Sequence, residues 1–233
     1  MPVLLLSRGD PKSKDVLRRA LTARYGIGAP ALDTLCIAFT GRTRLKVGPI
    51  TTWVPVEGRV RFRFPFAASW EYTVRPAGLP LHHVRVAFDG SRICRQQPGK
   101  PPVADDNSSV NAMRQQVWAN TTALLCPLSG SAIELKAVND HRLVVTHTEH
   151  GTHVAMQLNP DYTVSAIETS TTDPADGIQK PYRLEFSGGQ RLIDGLMLPH
   201  TITMYWGDEI DCELHPVRAD INPEIDDSAF QIA

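Results

Sequence analysis

Eight histidines and a carboxylate-rich stretch near the carboxy end are the residues of this 233-residue chain best suited to proton transfer or metal binding. His200 sits in Leu198-Pro199-His200-Thr201-Ile202-Thr203-Met204-Tyr205-Trp206. It shares strand parity with Leu198, Ile202, Met204 and Trp206, an apolar face. A neutral imidazole there would serve as a general base near neutral pH. The competing reading is a structural histidine bonded to backbone. His82 and His83 precede a strand, so one of them must point inward. His82 shares parity with Val84 and Val86 and is the second proton-transfer candidate. His147, His150 and His153 lie around a turn at His150-Gly151. Metal sites need convergent side chains, whereas His147 and His153 are expected on opposite sides of the ribbon. No metal is therefore expected. In the strand after Asp208, the residues Glu209, Asp211 and Glu213 alternate with Ile210, Cys212 and Leu214. That parity sends the carboxylates to water. With reversed parity, Glu209 and Glu213 would enter the interior as acid/base candidates.

Cys36, Cys94, Cys126 and Cys212 are separated by long, unrelated gaps, and no Cys-x-x-Cys occurs. They read as small buried hydrophobes, with two disulfides as the alternative in an oxidising compartment. No Gly-x-Gly-x-x-Gly, phosphate loop, Gly-x-Ser-x-Gly or His-Glu-x-x-His is present, so no nucleotide, NAD or serine-hydrolase chemistry is indicated. No cofactor is expected.

The elements that must position these residues are mostly strands. After Asp10, Val16, Leu17, Ala20, Leu21 and Tyr25 fall at helical spacing, while Lys12, Lys14, Arg18, Arg19 and Arg24 lie largely off that stripe. Asp10 or Ser13 is placed to cap this helix and Gly26 to stop it. From Leu35 to about Ile93 the period is two. Val60, Phe62, Phe64 and Phe66 share a face, with Arg61 and Arg63 opposite; Trp70 and Tyr72 alternate with Glu71, Thr73 and Arg75. Asp89-Gly90 reads as a hairpin turn. Gln96 to Ser109 reads as a long loop. A second helix opens at Ser108 or Ser109, presents Val110, Met113, Val117, Thr121 and Leu124, and ends at Pro127. Strands resume at Ile133, giving roughly ten short strands and two helices. Short turns between consecutive strands imply an antiparallel, strongly curved sheet in an α+β fold, with one domain over 1–233.

Lys+Arg total 24 against 25 Asp+Glu, a net charge of −1. This excludes a strong electrostatic footprint for nucleic acid or acidic lipid. No apolar run approaches the roughly 18 residues of a membrane-spanning helix. The segment Val3 to Leu6 is too short for the apolar part of a secretory signal, and a basic leader is absent. The expectation is a cytoplasmic location, or a periplasmic one if a signal has been removed.

The segment Asp194-Gly195-Leu196-Met197-Leu198-Pro199-His200-Thr201-Ile202 is followed by Ala219-Asp220-Ile221-Asn222-Pro223-Glu224-Ile225-Asp226-Asp227-Ser228-Ala229-Phe230. This pair resembles the LolA/LolB-like lipoprotein-carrier superfamily. The Phe88-Asp89-Gly90 hairpin and Cys126-Pro127-Leu128 sit where that superfamily has comparable elements, and the resemblance runs from about Asp10 to Phe230. It implies an incomplete barrel, its curved sheet wrapped around two or three helices, with an apolar cavity between sheet and helices. Carriers of the superfamily hold acyl chains there. The violacein-pathway enzyme VioE uses a similar half-barrel for a cofactor-free conversion, but its residues do not match this chain, so its reaction is not transferred.

Trp53, Phe62, Phe64, Trp70, Tyr72, Met204 and Trp206 are expected on the inner face, as cavity wall or as filled core. A concave apolar space of this kind suits a lipophilic small molecule. The functional expectation is a cofactor-free biosynthetic enzyme of cyclase, isomerase or lyase type, with His200 and then His82 moving protons. The alternative is a lipid or lipoprotein carrier, for which a cavity free of convergent polar groups is expected. A homodimer is a further expected partner state.

Overall fold

The computed structural model describes residues 7–47, 50–75, 82–96, 103–104, 107–174 and 176–231, with backbone only at 46–47, 50, 82, 103–104 and 107–108. The first helix, α1 (Pro11–Tyr25), begins where the Asp10 carboxylate accepts the Ser13 N–H at 2.7 Å. Pro11 supplies a preset φ at the first helical position. The helix stops at Gly26, whose φ of +62° suits a residue without Cβ. Its buried stripe is Ser13, Val16, Leu17, Ala20, Leu21 and Arg24. Arg24 therefore lies on the inner stripe, not off it.

Thirteen strands among the described residues form one antiparallel sheet, more than the ten read from periodicity. They are β1 (Thr34–Val47), β2 (Ile50–Arg63), β3 (Ala67–Val74), β4 (His82–Phe88), β5 (Ile93–Gln96), β6 (Val103–Ala104), β7 (Ile133–Asn139), β8 (Arg142–His147), β9 (Thr152–Leu158), β10 (Val164–Thr172), β11 (Gln179–Ile193), β12 (Leu196–Trp206) and β13 (Glu209–Ile221). Their spatial order is β6-β5-β4-β3-β2-β1-β13-β12-β11-β10-β9-β8-β7. The chain starts mid-sheet at β1, meanders outward to the edge at β6, and returns from the opposite edge at β7. The connection between edges is the second helix, α2 (Asn107–Leu124). It must cross the sheet face, and it does so on the concave side, against β9, β10 and β5. The edges do not meet, so this is the expected α+β half-barrel. Of the expected Gln96–Ser109 loop, β6 and the start of α2 are described; most of the remainder lies outside the described residues.

Because α2 is enclosed, it buries more than one face. The expected stripe of Val110, Met113, Val117, Thr121 and Leu124 is buried, and so are Ala112, Trp118, Ala119 and Thr122. The Trp118 indole donates to the Val145 carbonyl at 3.2 Å, and Thr121 Oγ1 donates to Pro65 O at 3.1 Å. The helix ends at Leu124, before Pro127, with Leu125 at φ +65°.

Gly41 and Gly58 explain how the long strands β1 and β2 tolerate the curl. A Cβ on Gly41 would lie 2.0 Å from the Glu213 carbonyl oxygen, and one on Gly58 would lie 2.4 Å from the Glu71 carbonyl oxygen. Neighbouring backbone comes that close only where no side chain intervenes. Outside the curve, the arginines read as outward are outward. Arg59 pairs with Glu71 at 2.6 Å, Arg63 with Asp227 at 2.6 Å, and Arg75 with Glu57. Gly58→Ala is expected to cost about 1–3 kcal/mol of unfolding free energy through backbone displacement. Urea denaturation measures this, and an unchanged midpoint would remove Gly58 from the account of curvature.

Candidate functional site

Between α2 and strands β1–β4 and β10–β13 lies a cavity of about 520 Å³. Its walls are largely apolar: Ile37, Phe39, Val56, Val60, Phe62, Trp70 and Val86 from one half of the sheet, Leu184, Phe186, Leu198, Ile202 and Met204 from the other, and Ala112 and Met113 from α2. Of the seven aromatic and methionine residues expected on the inner face, Phe62, Trp70, Tyr72 and Met204 line it.

The other three are placed elsewhere. Trp53 has the opposite parity to Val54 and Val56; it is 38 % exposed on the outer face, with the Arg42 guanidinium 4.6 Å from its ring centroid. Strand β2 stops at Arg63, so Phe64 belongs to the turn into β3 and stacks on Phe62 at 5.7 Å from outside the cavity wall. Trp206 packs behind Tyr182, centroids 4.9 Å apart.

His200 does not enter the cavity. Ser187 pairs with Thr201 and Gln190 with Pro199, so Gly188 and Gly189 together oppose His200 alone. Such a bulge breaks the alternation of faces. Pro199 lines the cavity instead, and His200 is exposed, its ring 5.6 Å from that of His215. The side chain of His82 lies outside the described residues. His83 is exposed on the outer face, 3.3 Å from Thr73 Oγ1.

A second bulge brings in a carboxylate that parity assigned to water. Met204 pairs with Cys212 and Tyr205 with Ile210, leaving Asp211 unpaired between them. Asp211 lines the cavity together with Cys212. Burial, then the charge of Asp173, hold its carboxyl above the usual carboxylate range, and Arg44 opposes them. Glu209 and Glu213 stay outside as expected, paired with Arg44 at 2.8 Å and Arg42 at 2.7 Å. Tyr72 and Tyr182 also line the cavity; burial pushes both hydroxyls up, Arg95 opposes this at Tyr72, and Asp211 and Cys212 add to it at both. Tyr182 is 1 % exposed, and beside the Asn120 side chain its hydroxyl makes no hydrogen bond of normal geometry among the described residues. Asn120 and Gln116 of α2 line the cavity as well. Only the glycine pair at 188–189 offered a sequence signal for either bulge; nothing marked Asp211.

Arg24 also lines the cavity. Its Nε donates to the Met197 carbonyl at 2.8 Å and its Nη1 to the Ala123 carbonyl. Burial lowers the pKa of its guanidinium. Tyr25 donates to the Leu124 carbonyl at 2.9 Å.

The histidines near the hairpin are split as expected: His147 is buried and His153 exposed. Among the described residues no cluster of three or more His, Cys, Asp or Glu could hold a metal ion. His147 and His150 stack at 5.1 Å against Phe66, which touches Trp118. The four cysteines are free thiols.

No protein-family model and no curated protein sequence matches this chain. The fold does have solved counterparts and is LolA-like. A LolA superfamily protein from Nitrosomonas europaea aligns with a TM-score of 0.51 at 12% identity, covering 94% of this chain and 97% of the other. A DUF1329 family protein from Desulfovibrio piger aligns with a TM-score of 0.53, also at 12% identity, covering 95% and 98%. Among the described residues no helix is long and apolar enough to cross a membrane.

Burial, and then the neighbouring His150, depress the pKa of His147 below the usual imidazole value; burial also depresses that of His150. The unfolded chain therefore binds more protons than the folded one as the pH falls through this range. Stability is held above about pH 6.5 and lost towards pH 5. His147→Phe, which keeps the aromatic packing, should flatten that loss in thermal melts between pH 7 and pH 5. A variant with the wild-type slope would show that other groups carry it.

Proposed function

We propose that this protein binds an elongated lipophilic molecule in the half-barrel cavity and holds it as a carrier. The observation that carries this reading is the cavity of about 520 Å³ walled by Phe62, Trp70, Val60, Ile202, Met204 and Met113. That volume is within the usual range for small-molecule sites. Removing such walls from water by filling the space with an apolar ligand is favourable at about 25 cal/mol per Å². The resemblance to lipoprotein carriers, which hold acyl chains in the same place, supports the reading. So does the position of His200 outside the cavity, which takes away the principal proton-transfer group on which a biosynthetic conversion was expected to rest.

The cavity is not free of polar groups, as a carrier of wholly apolar cargo would require. Asp211, Tyr182 and Asn120 supply polar groups on one side and Arg24 and Gln190 on another, set among largely apolar walls, an arrangement that suits an amphiphile. A second reading keeps the enzyme alternative: Asp211, with its raised pKa, and the Tyr182 hydroxyl in the same cavity wall are proton-transfer groups. It requires that the cargo be released chemically altered.

Ala112→Trp and Ile202→Trp place an indole in the cavity from opposite walls. Each is expected to weaken binding of the neutral fluorophore N-phenyl-1-naphthylamine about tenfold, or about 1.4 kcal/mol, measured by titration of correctly folded protein. Two folded variants with wild-type affinity would overturn the cavity as the binding site. Mass spectrometry of cargo before loading and after release separates carriage from conversion.

A further inference from the structure

We infer that Asp211 and Tyr182 form a head-group subsite inside the cavity, selective for a lipophile that ends in a hydroxyl. This rests on the cavity-binding reading above and names the class of ligand. The first observation is Tyr182 itself. It is 1 % exposed and lines the cavity, and beside the Asn120 side chain its hydroxyl makes no hydrogen bond of normal geometry among the described residues. Leaving a buried O–H unmade is costly, and such groups in native proteins are ordinarily paired by protein, water or ligand.

The second observation is Asp211. The bulge in β13 turns it into the cavity, where its carboxylate makes no hydrogen bond to a described side chain. The charged groups that act on it are committed elsewhere. Asp173 is bridged by Lys180 at 2.8 Å, and Arg44 is bridged to Glu209 at 2.8 Å. Both groups line the same cavity, Tyr182 from β11 and Asp211 from β13 with β12 between them.

A ligand hydroxyl meets both needs at once. It donates to the Asp211 carboxylate and accepts from the Tyr182 O–H. A ligand carboxylate would bring a further negative charge beside Asp211 and Asp173. An ammonium would satisfy Asp211 but offers no lone pair to the Tyr182 proton. The apolar walls then take the hydrocarbon portion, with the polar end fixed at the strand β11–β13 side.

The test is displacement of N-phenyl-1-naphthylamine from the full chain by dodecan-1-ol, dodecanoate, dodecylamine and 1-chlorododecane. Dodecan-1-ol should bind at least about tenfold more tightly than the chloride or the carboxylate. Tyr182→Phe and Asp211→Asn, both close to isosteric, should each weaken dodecan-1-ol about tenfold relative to 1-chlorododecane. If the four chains bind alike, or if both variants bind the alcohol as the wild type does while the fluorophore still binds, the subsite is wrong and the cavity reading stands. Tightest binding by dodecanoate or dodecylamine overturns the hydroxyl assignment. Failure of wild-type protein to bind the fluorophore or any of the chains overturns the cavity reading itself.

Discussion

The buried guanidinium of Arg24 is the interaction on which the internal space depends. It leaves the last turn of α1 and donates to the carbonyls of Ala123 at the end of α2 and Met197 in β12. Tyr25 takes the next carbonyl, that of Leu124. The last carbonyls of a helix have no partner within the helix and carry its partial negative charge. A cation and a hydroxyl supplied by a second helix answer both needs. They also fix the end of α2 at a set distance from the sheet. α2 crosses the concave face only because the chain passes from one sheet edge to the other. Tied at this end and packed on β9 and β10 along its length, it leaves a gap on the side of β1–β4 and β11–β13.

Much of this architecture was legible in the residues. The α1 stripe, its Asp10 cap and Gly26 stop, the apolar face of α2, the antiparallel curl and the outward arginines all follow from short-range patterning, because period and parity are local properties. Parity fails where a strand carries one residue more than its neighbour. Gly188 and Gly189 against His200, and Asp211 between paired Ile210 and Cys212, are two such places. Each reverses the face assigned to a residue with chemistry in it. His200 therefore moves out and Asp211 moves in. Phe64 failed for a related reason: Pro65 follows it, and the strand that seemed to continue through Phe66 had already ended at Arg63. Trp53 was expected on the inner face, but in β2 its parity, opposite to that of Val54 and Val56, places it outside.

The segments that resemble lipoprotein carriers do architectural work. Asp194 and Gly195, at φ +47° and +87°, make the turn between β11 and β12, and the Asp194 carboxylate accepts the Ala219 N–H at 3.0 Å. Asn222 Oδ1 accepts from Asp33 at 2.8 Å and from Thr34, and its amide donates to Ala31 O at 2.9 Å, sealing the end of β13 to the start of β1. Asp226 caps the closing 3₁₀ turn, Asp227–Phe230, and buried Phe230 lies under Arg63. These residues encode where strands turn and where the sheet is fastened, so the resemblance conveys the fold and does not single out one cargo. It also fits with solved counterparts that share the architecture at 12% identity.

What distinguishes this half-barrel must therefore be sought in the cavity wall. Most of that wall is made of side chains that any packed core would use, and their apolar surface alone selects for little beyond size and greasiness. Discrimination comes from the few polar groups that the fold buries at a cost. A carboxyl and a phenol set in an apolar hollow lose hydration, and the loss is recovered only when each finds a partner. In this chain the bulge at Asp211 positions the carboxyl, and the tilted packing of Trp206 against Tyr182 backs the phenol. The backbone irregularity that defeats parity at this point is thus the same feature that sets a carboxyl in the cavity wall, where the hydrogen-bonding terminus of an occupant would meet it.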